Sequence, residues 1–417
     1  MGFSLLDKFL TWLIRYGQLT VTDHRGRVHV YGTVDTMVPV AIRLNDSGVA
    51  LTLALRPDLA FGEAYMDGRF TIERGNVRDL IALLMRNLQA TGGSLPADRI
   101  MRHFRPLMLK LQQANSARRS RQNVAHHYDL SDQLYDLFLD PDRQYSCGYF
   151  RTPTTSLEQA QLDKKRHIAA KLLLKRGQRV LEIGSGWGGL ALFLAEHYGV
   201  EVTGLTLSTE QHAYATERAR RAGLSNRVQF KLLDYRAETG SYDRIVSVGM
   251  FEHVGVTNYD TFFRTVHKLL VPDGVALLHS IGRADGPGLT NSWLRKYIFP
   301  GGYSPALSEV LPSVERAALW ATDIEILRMH YAWTLRAWLE NFEKNRAQIA
   351  KLYDERFCRM WEFYLAACEA NFEYWGGMVF QIQMAKDQNA VPFTRDYMVA
   401  EETRLLEQAS GSSARSA

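Results

Sequence analysis

The sequence predicts an α/β protein built on a doubly wound, mostly parallel sheet, with a helical cap and a small N-terminal α+β domain. Three observations lead there. Short apolar runs alternate with helical patterns from Gly177 onward, a glycine-rich turn joins the first run to its helix, and an aromatic-rich stretch interrupts the alternation between Asp285 and Ala370.

The elements follow in order. Phe3, Leu6, Leu10 and Leu13 recur at helical spacing, so Phe3 to Tyr16 is expected to be an amphipathic helix. Val28-His29-Val30-Tyr31 and Val49-Ala50-Leu51-Thr52-Leu53 read as strands, and Asn76 to Leu88 as a helix with Asn76 at its N-cap. These place an α+β domain over residues 1–90, and a basic linker or helix follows over 91–123. The main domain is expected over 124–407. Its strands are Arg179 to Ile183, Val202 to Leu205, Val228 to Leu232, Arg244 to Val248 and Val275 to His279, with helices from Leu190 to Tyr198 and from Thr209 to Ala222. The stretch from about 285 to 370 reads as a helical cap, and the chain is expected to return to the sheet near Gly377 to Met384. Residues 408–417 are rich in Ser, Ala and Gly and read as a disordered tail.

Composition narrows the class. The 417 residues are 46% apolar and 23% charged, the balance of a globular protein. No apolar run reaches the roughly 18 residues that span a bilayer. Asp7, Lys8 and Arg15 interrupt the N-terminal apolar stretch, so no secretion signal is read there. Cys147, Cys358 and Cys368 have neither zinc nor disulfide spacing, so no metal is expected and a reducing cytoplasm fits. The net charge of +5 is unevenly spread. Arg99, Arg102, Arg105, Lys110, Arg118, Arg119 and Arg121 form a basic stretch that would attract phosphate groups, though a solvated helix reads the same way.

Glu182-Ile183-Gly184-Ser185-Gly186-Trp187-Gly188-Gly189 carries the first chemistry. Glycines at such a turn let the backbone approach a ligand, and the following helix points free N–H groups at it. Gly184, Gly186 and Gly189 also satisfy the dinucleotide pattern, so the glycines fit two cofactors. A dinucleotide enzyme would place an acid at the tip of the second strand, whereas here the tip reads Gly204-Leu205-Thr206-Leu207-Ser208. An acid ending the first strand, Glu182, is typical of S-adenosylmethionine sites, where it faces the methionine ammonium. Gln211 is the candidate for the ribose and Asp234 for the adenine amino group, although both also suit a cap or loop. Gly184, Gly186, Gly188 and Thr206 complete this cofactor set.

Longer motifs carry a resemblance. They are His126-His127-Tyr128-Asp129-Leu130, Gln144 to Phe150, Val180 to Gly189, Val202 to Gln211, Arg244 to Val254 and Leu277-Leu278-His279-Ser280-Ile281-Gly282. From about Ala125 to Met384 the sequence resembles the cyclopropane fatty acid synthases, which methylenate unsaturated phospholipid acyl chains with S-adenosylmethionine. The resemblance implies a Rossmann-like methyltransferase fold. It also implies an active-site bicarbonate ion held by Cys147, Glu252, His279, the backbone of Ile281, and Tyr331. By the same comparison Tyr128, Tyr145 and Ser146 close over the cofactor. The residue types suit the chemistry, since a carboxylate, an imidazole and a phenol can hold a small base, and aromatic faces can stabilise a carbocation. The cap aromatics as a group are more often core, and Tyr331 reads equally well as packing.

The expected activity is thus cyclopropanation of unsaturated phospholipid. A related lipid methyltransferase giving a methyl-branched or methylene product stays open, with a dinucleotide-dependent oxidoreductase and a non-catalytic lipid-binding module as lesser alternatives. Peripheral contact with the anionic inner face of the membrane is expected through Phe3 to Tyr16 and the basic stretch, with no nucleic acid partner. The resemblance suggests a homodimer, for which the sequence itself shows no interface.

Overall fold

The protein was analysed as a computed structural model that describes residues 2–34, 37–92 and 131–413. The basic stretch Arg99 to Arg121 and the motif containing Tyr128 lie outside the described residues.

The N-terminal unit contains helix α1 (Gly2–Leu13), strands β1 (Gln18–Thr22), β2 (Val28–Gly32) and β3 (Val40–Leu44), helices α2 (Val49–Leu55) and α3 (Pro57–Met66), strand β4 (Phe70–Arg74) and helix α4 (Val77–Ala90). Its sheet runs β2-β1-β3-β4. Asn76 caps α4 as expected, and Asp79 closes a capping box with it. Helix α1 stops at Leu13 rather than Tyr16 because the buried Asn87 takes over: its Oδ1 accepts from the amides of Arg15 at 2.7 Å and Tyr16 at 2.9 Å. Leu6, Leu10 and Leu13 are buried in the core of this unit, so the apolar face of α1 is occupied by the protein itself and is not presented to a membrane.

Val49 to Leu53 form a helix, not a strand. The Asp46 carboxylate accepts from the amides of Gly48 and Val49, both at 2.8 Å, which starts a helical turn. Burial of Val49, Ala50 and Leu53 on one side then follows helical spacing. Local capping and packing outweigh the β preference of the Val-Ala-Leu-Thr-Leu run.

The larger unit opens with α5 (Asp132–Phe138) and α6 (Leu157–Leu172). Then come β5 (Arg179–Ile183), α7 (Gly189–Tyr198), β6 (Glu201–Thr206), α8 (Thr209–Arg221), β7 (Val228–Leu232), β8 (Tyr242–Val248), α9 (Tyr259–Leu269) and β9 (Leu270–Arg283). The remainder is α10 (Ser292–Tyr297), α11 (Leu307–Arg316), β10 (Trp320–Leu327), α12 (His330–Lys344), α13 (Arg346–Leu352), α14 (Glu355–Tyr374), β11 (Gly377–Ala385) and α15 (Asp396–Ser413). The seven-stranded sheet runs β10-β11-β9-β8-β5-β6-β7. Strands β5 to β9 are mutually parallel, and β11 runs antiparallel to both its neighbours. Alternation along the strands feeds two cores. Val180, Val202, Val246 and Leu277 pack with α6, α7 and α8 on one face. Leu181, Leu205, Ile245 and Leu278 pack with α9 and α11 on the other.

The cap differs from expectation in one element. Strand β10 lies within the stretch expected to be helical. Its inward residues are charged: Asp323 and Glu325 receive Lys171 Nζ at 3.2 and 2.5 Å, while Ile324 and Ile326 face outward. An edge strand with acids inside and isoleucines outside inverts the pattern that marks a strand. Helix α15 runs to Ser413, past residue 408, where the composition suggested that order would end. Helices α12, α13 and α14 form the cap proper around Trp338, Phe342, Trp361 and Tyr364. Met66, Val77 and Ile81 of the N-terminal unit belong to that same core. At Gly62 a Cβ would stand 2.4 Å from the Trp293 indole, so only glycine allows the two units to close together there. Among the described residues, no helix is long and apolar enough to cross a membrane.

Asn87 is expected to matter for stability, because its amide group also donates to Tyr16 O and Leu83 O, both at 2.8 Å. Asn87→Ala leaves buried backbone groups unpaired and should cost about 2 kcal/mol or more, read as a lowered urea midpoint. An unchanged midpoint would contradict this account.

Candidate active site

The glycine turn leaves β5 at the topological switch point, where β6 lies on one side of β5 and β8 on the other. Gly184, Gly186 and Gly188 all have positive φ, at 86°, 51° and 83°. The amides of Gly184 and Ser185 both donate to Leu205 O at 2.9 Å, which stitches the turn to β6. A Cβ at Gly184 would stand 2.7 Å from Met250 Cβ, and one at Gly188 would stand 2.7 Å from Phe230 Cζ. A Cβ at Gly186 would meet nothing and would enter the cleft. The two outer glycines therefore permit packing, and Gly186 leaves bare backbone facing the cleft.

The cleft encloses about 1230 Å³ of space open to solvent. Glu182, Gly184, Gly186, Thr206, Gln211 and Asp234 line it, as do Tyr145 and Ser146. Gly188 does not; it is the N-cap of α7, behind the lining. Glu182 is fully buried, and burial pushes its carboxyl up to about 8 against the opposing pull of Lys164. Its Oε2 has no hydrogen-bond partner among the described residues. A buried carboxylate oxygen without a hydrogen-bond partner fits an incoming ammonium group, the Ala191 amide serving the rest of the carboxylate. Gln211 Oε1 accepts from Thr206 Oγ1 at 3.1 Å, so the two residues act as one polar pair. The Asp234 carboxylate is held by Arg236 at 2.8 and 2.6 Å, so an adenine amino group would share it with that guanidinium.

Beyond this lining lies a second cluster. Glu252 sits on a short turn after β8, and its Oε1 accepts from the amide of Ile281 in β9 at 2.6 Å. Its Oε2 has no hydrogen-bond partner among the described residues, and burial pushes the carboxyl up to about 7. His279 lies two residues before Ile281 and is equally buried; its Nδ1 meets Gln381 Nε2 of β11 at 3.1 Å. An Nδ1 that accepts leaves Nε2–H as a donor. Burial and the fields of Lys164, His167 and Lys171 pull His279 down to about 3, so the ring is neutral.

Cys147 and Tyr331 meet in the aromatic core of the cap. Two bonds clamp helix α12, which carries Tyr331, onto the segment holding Cys147: the Gly148 amide donates to Thr334 Oγ1 and the Phe150 amide to His330 Nδ1, each at 2.9 Å. Cys147 Sγ donates to Gly148 O at 3.3 Å, and burial pushes the thiol far above its usual range, so it is a neutral group. Tyr331 packs edge-on to Trp338 at 5.8 Å and against Phe372 at 4.8 Å. The Ile281 amide is engaged by Glu252 Oε1.

Several residues at the site escaped the sequence reading: Lys164, Gln144, Gln381 and Tyr364. Lys164 Nζ donates to Gln144 Oε1 and Ser146 Oγ, both at 2.7 Å, and Tyr145 OH is 2.8 Å from Tyr364 OH. A signal for Lys164 existed, since it falls on the stripe Leu157, Ala160, Ile168 and Leu172 of α6, where an apolar residue is expected. Gln381 lies on a strand whose register against β9 cannot be read locally.

Fold and cleft together define a methyltransferase of the class that takes its methyl group from S-adenosylmethionine. A family model described as mycolic acid cyclopropane synthetase matches residues 115–382, and one described as a domain of unknown function matches residues 7–92. The cyclopropane-fatty-acyl-phospholipid synthase of Escherichia coli strain K12 is 39% identical over 344 residues, covering 81% of this chain and 86% of that protein. A probable fatty acid methyltransferase of Pseudomonas putida is 39% identical over 299 residues, covering 69% and 76%. The solved mycolic acid cyclopropane synthase CmaA1, complexed with SAH and CTAB, superposes with a TM-score of 0.61 at 33% identity, covering 65% of this chain and 99% of that one. The chain belongs to the mycolic acid cyclopropane synthetase family.

Glu182→Gln is expected to weaken S-adenosylhomocysteine binding by roughly 10- to 100-fold in calorimetric titration. In the free protein the carboxyl is raised to about 8, and an ammonium partner would lower it, so binding near neutral pH should release protons. Affinity should then rise with pH until the free carboxyl is ionised. Titration in two buffers of different ionisation enthalpy checks this, and the same released-proton count in Glu182→Gln would contradict it.

Proposed function

We propose that this protein transfers a methylene group from S-adenosylmethionine to the cis double bond of unsaturated phospholipid acyl chains, forming a cyclopropane ring. The observation that supports this is the buried Glu252–Ile281 pair, with neutral His279 two residues before Ile281 on the same strand and Ile281 packed against the aromatic core that holds Cys147 and Tyr331. The likeness to the E. coli cyclopropane-fatty-acyl-phospholipid synthase supports the substrate class.

Methylation of an alkene leaves a carbocation, and the ring closes when the new methyl group gives up a proton. When bound, S-adenosylmethionine supplies the electrophilic methyl group and a bicarbonate ion a small base. The donor set fits such an ion: Glu252, raised to about 7, carries a proton for part of the time near neutrality, and His279 offers Nε2–H. Ile281 orients Glu252 through its amide, and Cys147 and Tyr331 lie in the aromatic core against which Ile281 packs. Aromatic rings of the cap exclude water and present faces rather than nucleophiles to a developing cation.

Incubation with S-adenosylmethionine and unsaturated phospholipid should lengthen acyl mass by one methylene, with ring protons in the NMR spectrum and saturated chains untouched. Vinyl or branched-methyl signals instead would favour a second reading, which the probable fatty acid methyltransferase relative motivates. Glu252→Gln is expected to lower turnover by about 100-fold while S-adenosylhomocysteine affinity stays within about twofold. Equal losses in both would place Glu252 in the cofactor site.

Access to the substrate is proposed to be peripheral, with the basic stretch Arg99 to Arg121 meeting anionic headgroups. Co-sedimentation should favour anionic over neutral vesicles at low salt and lose that preference at high salt; equal binding to both would exclude an electrostatic contact.

A further inference from the structure

Helix α6 carries a lysine where its buried stripe calls for a hydrocarbon. The Lys164 side chain is 1% exposed, and burying an ammonium is costly unless something requires it. Its two hydrogen bonds go to neutral oxygens, Gln144 Oε1 and Ser146 Oγ. A lysine has three N–H donors, and the third is engaged by no described residue. A methionine would fill the same groove without that cost, so packing alone does not account for the residue.

Its surroundings suggest a task. Lys164 lines the cleft with Glu182, and it also exerts its field on Cys147 and His279. Asp140, Asp142 and Lys165 face it from the neighbouring loop and its own helix. Asp142 is itself paired with Lys165 and Arg218, and it is the other charged group acting on Glu182. Burial pulls Lys164 down to about 8, which leaves it largely cationic at neutral pH. The segment it grips carries Tyr145 and Ser146 on the cleft side and Cys147 on the reaction side.

We propose that Lys164 is a positioning residue for the methyl donor: its ammonium braces the Gln144 to Ser146 segment across the cleft and eases the ionisation of Glu182 as that carboxyl receives the donor's α-amino group. This rests on Glu182 being that receptor. Brace and field are separate functions of one side chain, and a neutral donor of similar shape divides them.

The test titrates the full-length protein with S-adenosylhomocysteine from about pH 6 to pH 9, comparing wild type with Lys164→Met, Lys164→Gln and Glu182→Gln. Lys164→Met should weaken binding about tenfold at neutral pH and move the midpoint of its pH dependence up by about one unit. Lys164→Gln keeps a donor for Ser146 and should show the same moved midpoint with a near-wild-type melting temperature, so the result stands even where the methionine variant folds poorly. Glu182→Gln should flatten the pH dependence. A Lys164→Gln midpoint that stays at the wild-type value, with affinity reduced equally at every pH, overturns the Lys164 assignment while leaving that of Glu182 intact. A Glu182→Gln protein that titrates like wild type overturns both.

Discussion

Much of this structure depends on one helix that buries charge. Helix α6 packs under the sheet and the cap with Asp163, Lys164, Lys165, Arg166, His167 and Lys171 all removed from solvent. Each needs a partner, because an unpaired buried charge is costly. The partners come from the whole fold: Ser146 and Gln144 from the segment over the cleft, Asp323 and Glu325 from the edge strand, Glu402 from the last helix. His167 shows the result most plainly, its two ring nitrogens 2.5 Å from Glu402 and 2.6 Å from Glu325. Such a network ties α6 to the edge strand, the last helix and the segment over the cleft at once.

The site inherits this order. Glu182 near the end of β5 and Glu252 just after β8 belong to adjacent parallel strands, and the Gln144 to Phe150 segment supplies Tyr145 and Ser146 to the cleft and Cys147 to the aromatic core. One side of that segment is tied to α6 by Lys164, the other to α12 by Gly148 and Phe150.

What the sequence disclosed follows from how local each feature is. Strands β5 to β9 and the glycine turn were legible because their apolar runs and turn chemistry are contained within a few residues. His279 ends the run expected as a strand from Val275, and Glu252 follows the one expected over Arg244 to Val248. Strand β10 was not legible, since its inward face is Asp323 and Glu325 and makes sense only beside Lys171 and His167, some 150 residues earlier. Val49 to Leu53 misled in the opposite way: Asp46, a few residues upstream, decides the conformation against the run's own β preference. Gln381 became visible only once β11 was laid antiparallel to β9.

The shared core of the N-terminal unit and the cap has a consequence for how this enzyme divides into pieces. Met66 lies 3.2 Å from the Trp293 indole nitrogen, and Arg78 and Arg336 converge on the buried Glu369. A fragment beginning after residue 92 would bare the Trp293 indole and leave Glu369 with one guanidinium instead of two. The solved CmaA1 aligns with only 65% of this chain, so such a scaffold exists without the rest. Here, however, the first unit works as the outer wall of the cap. Grafting it onto a shorter relative, or deleting it from this one, would require redesign of that face as well as of the connecting chain.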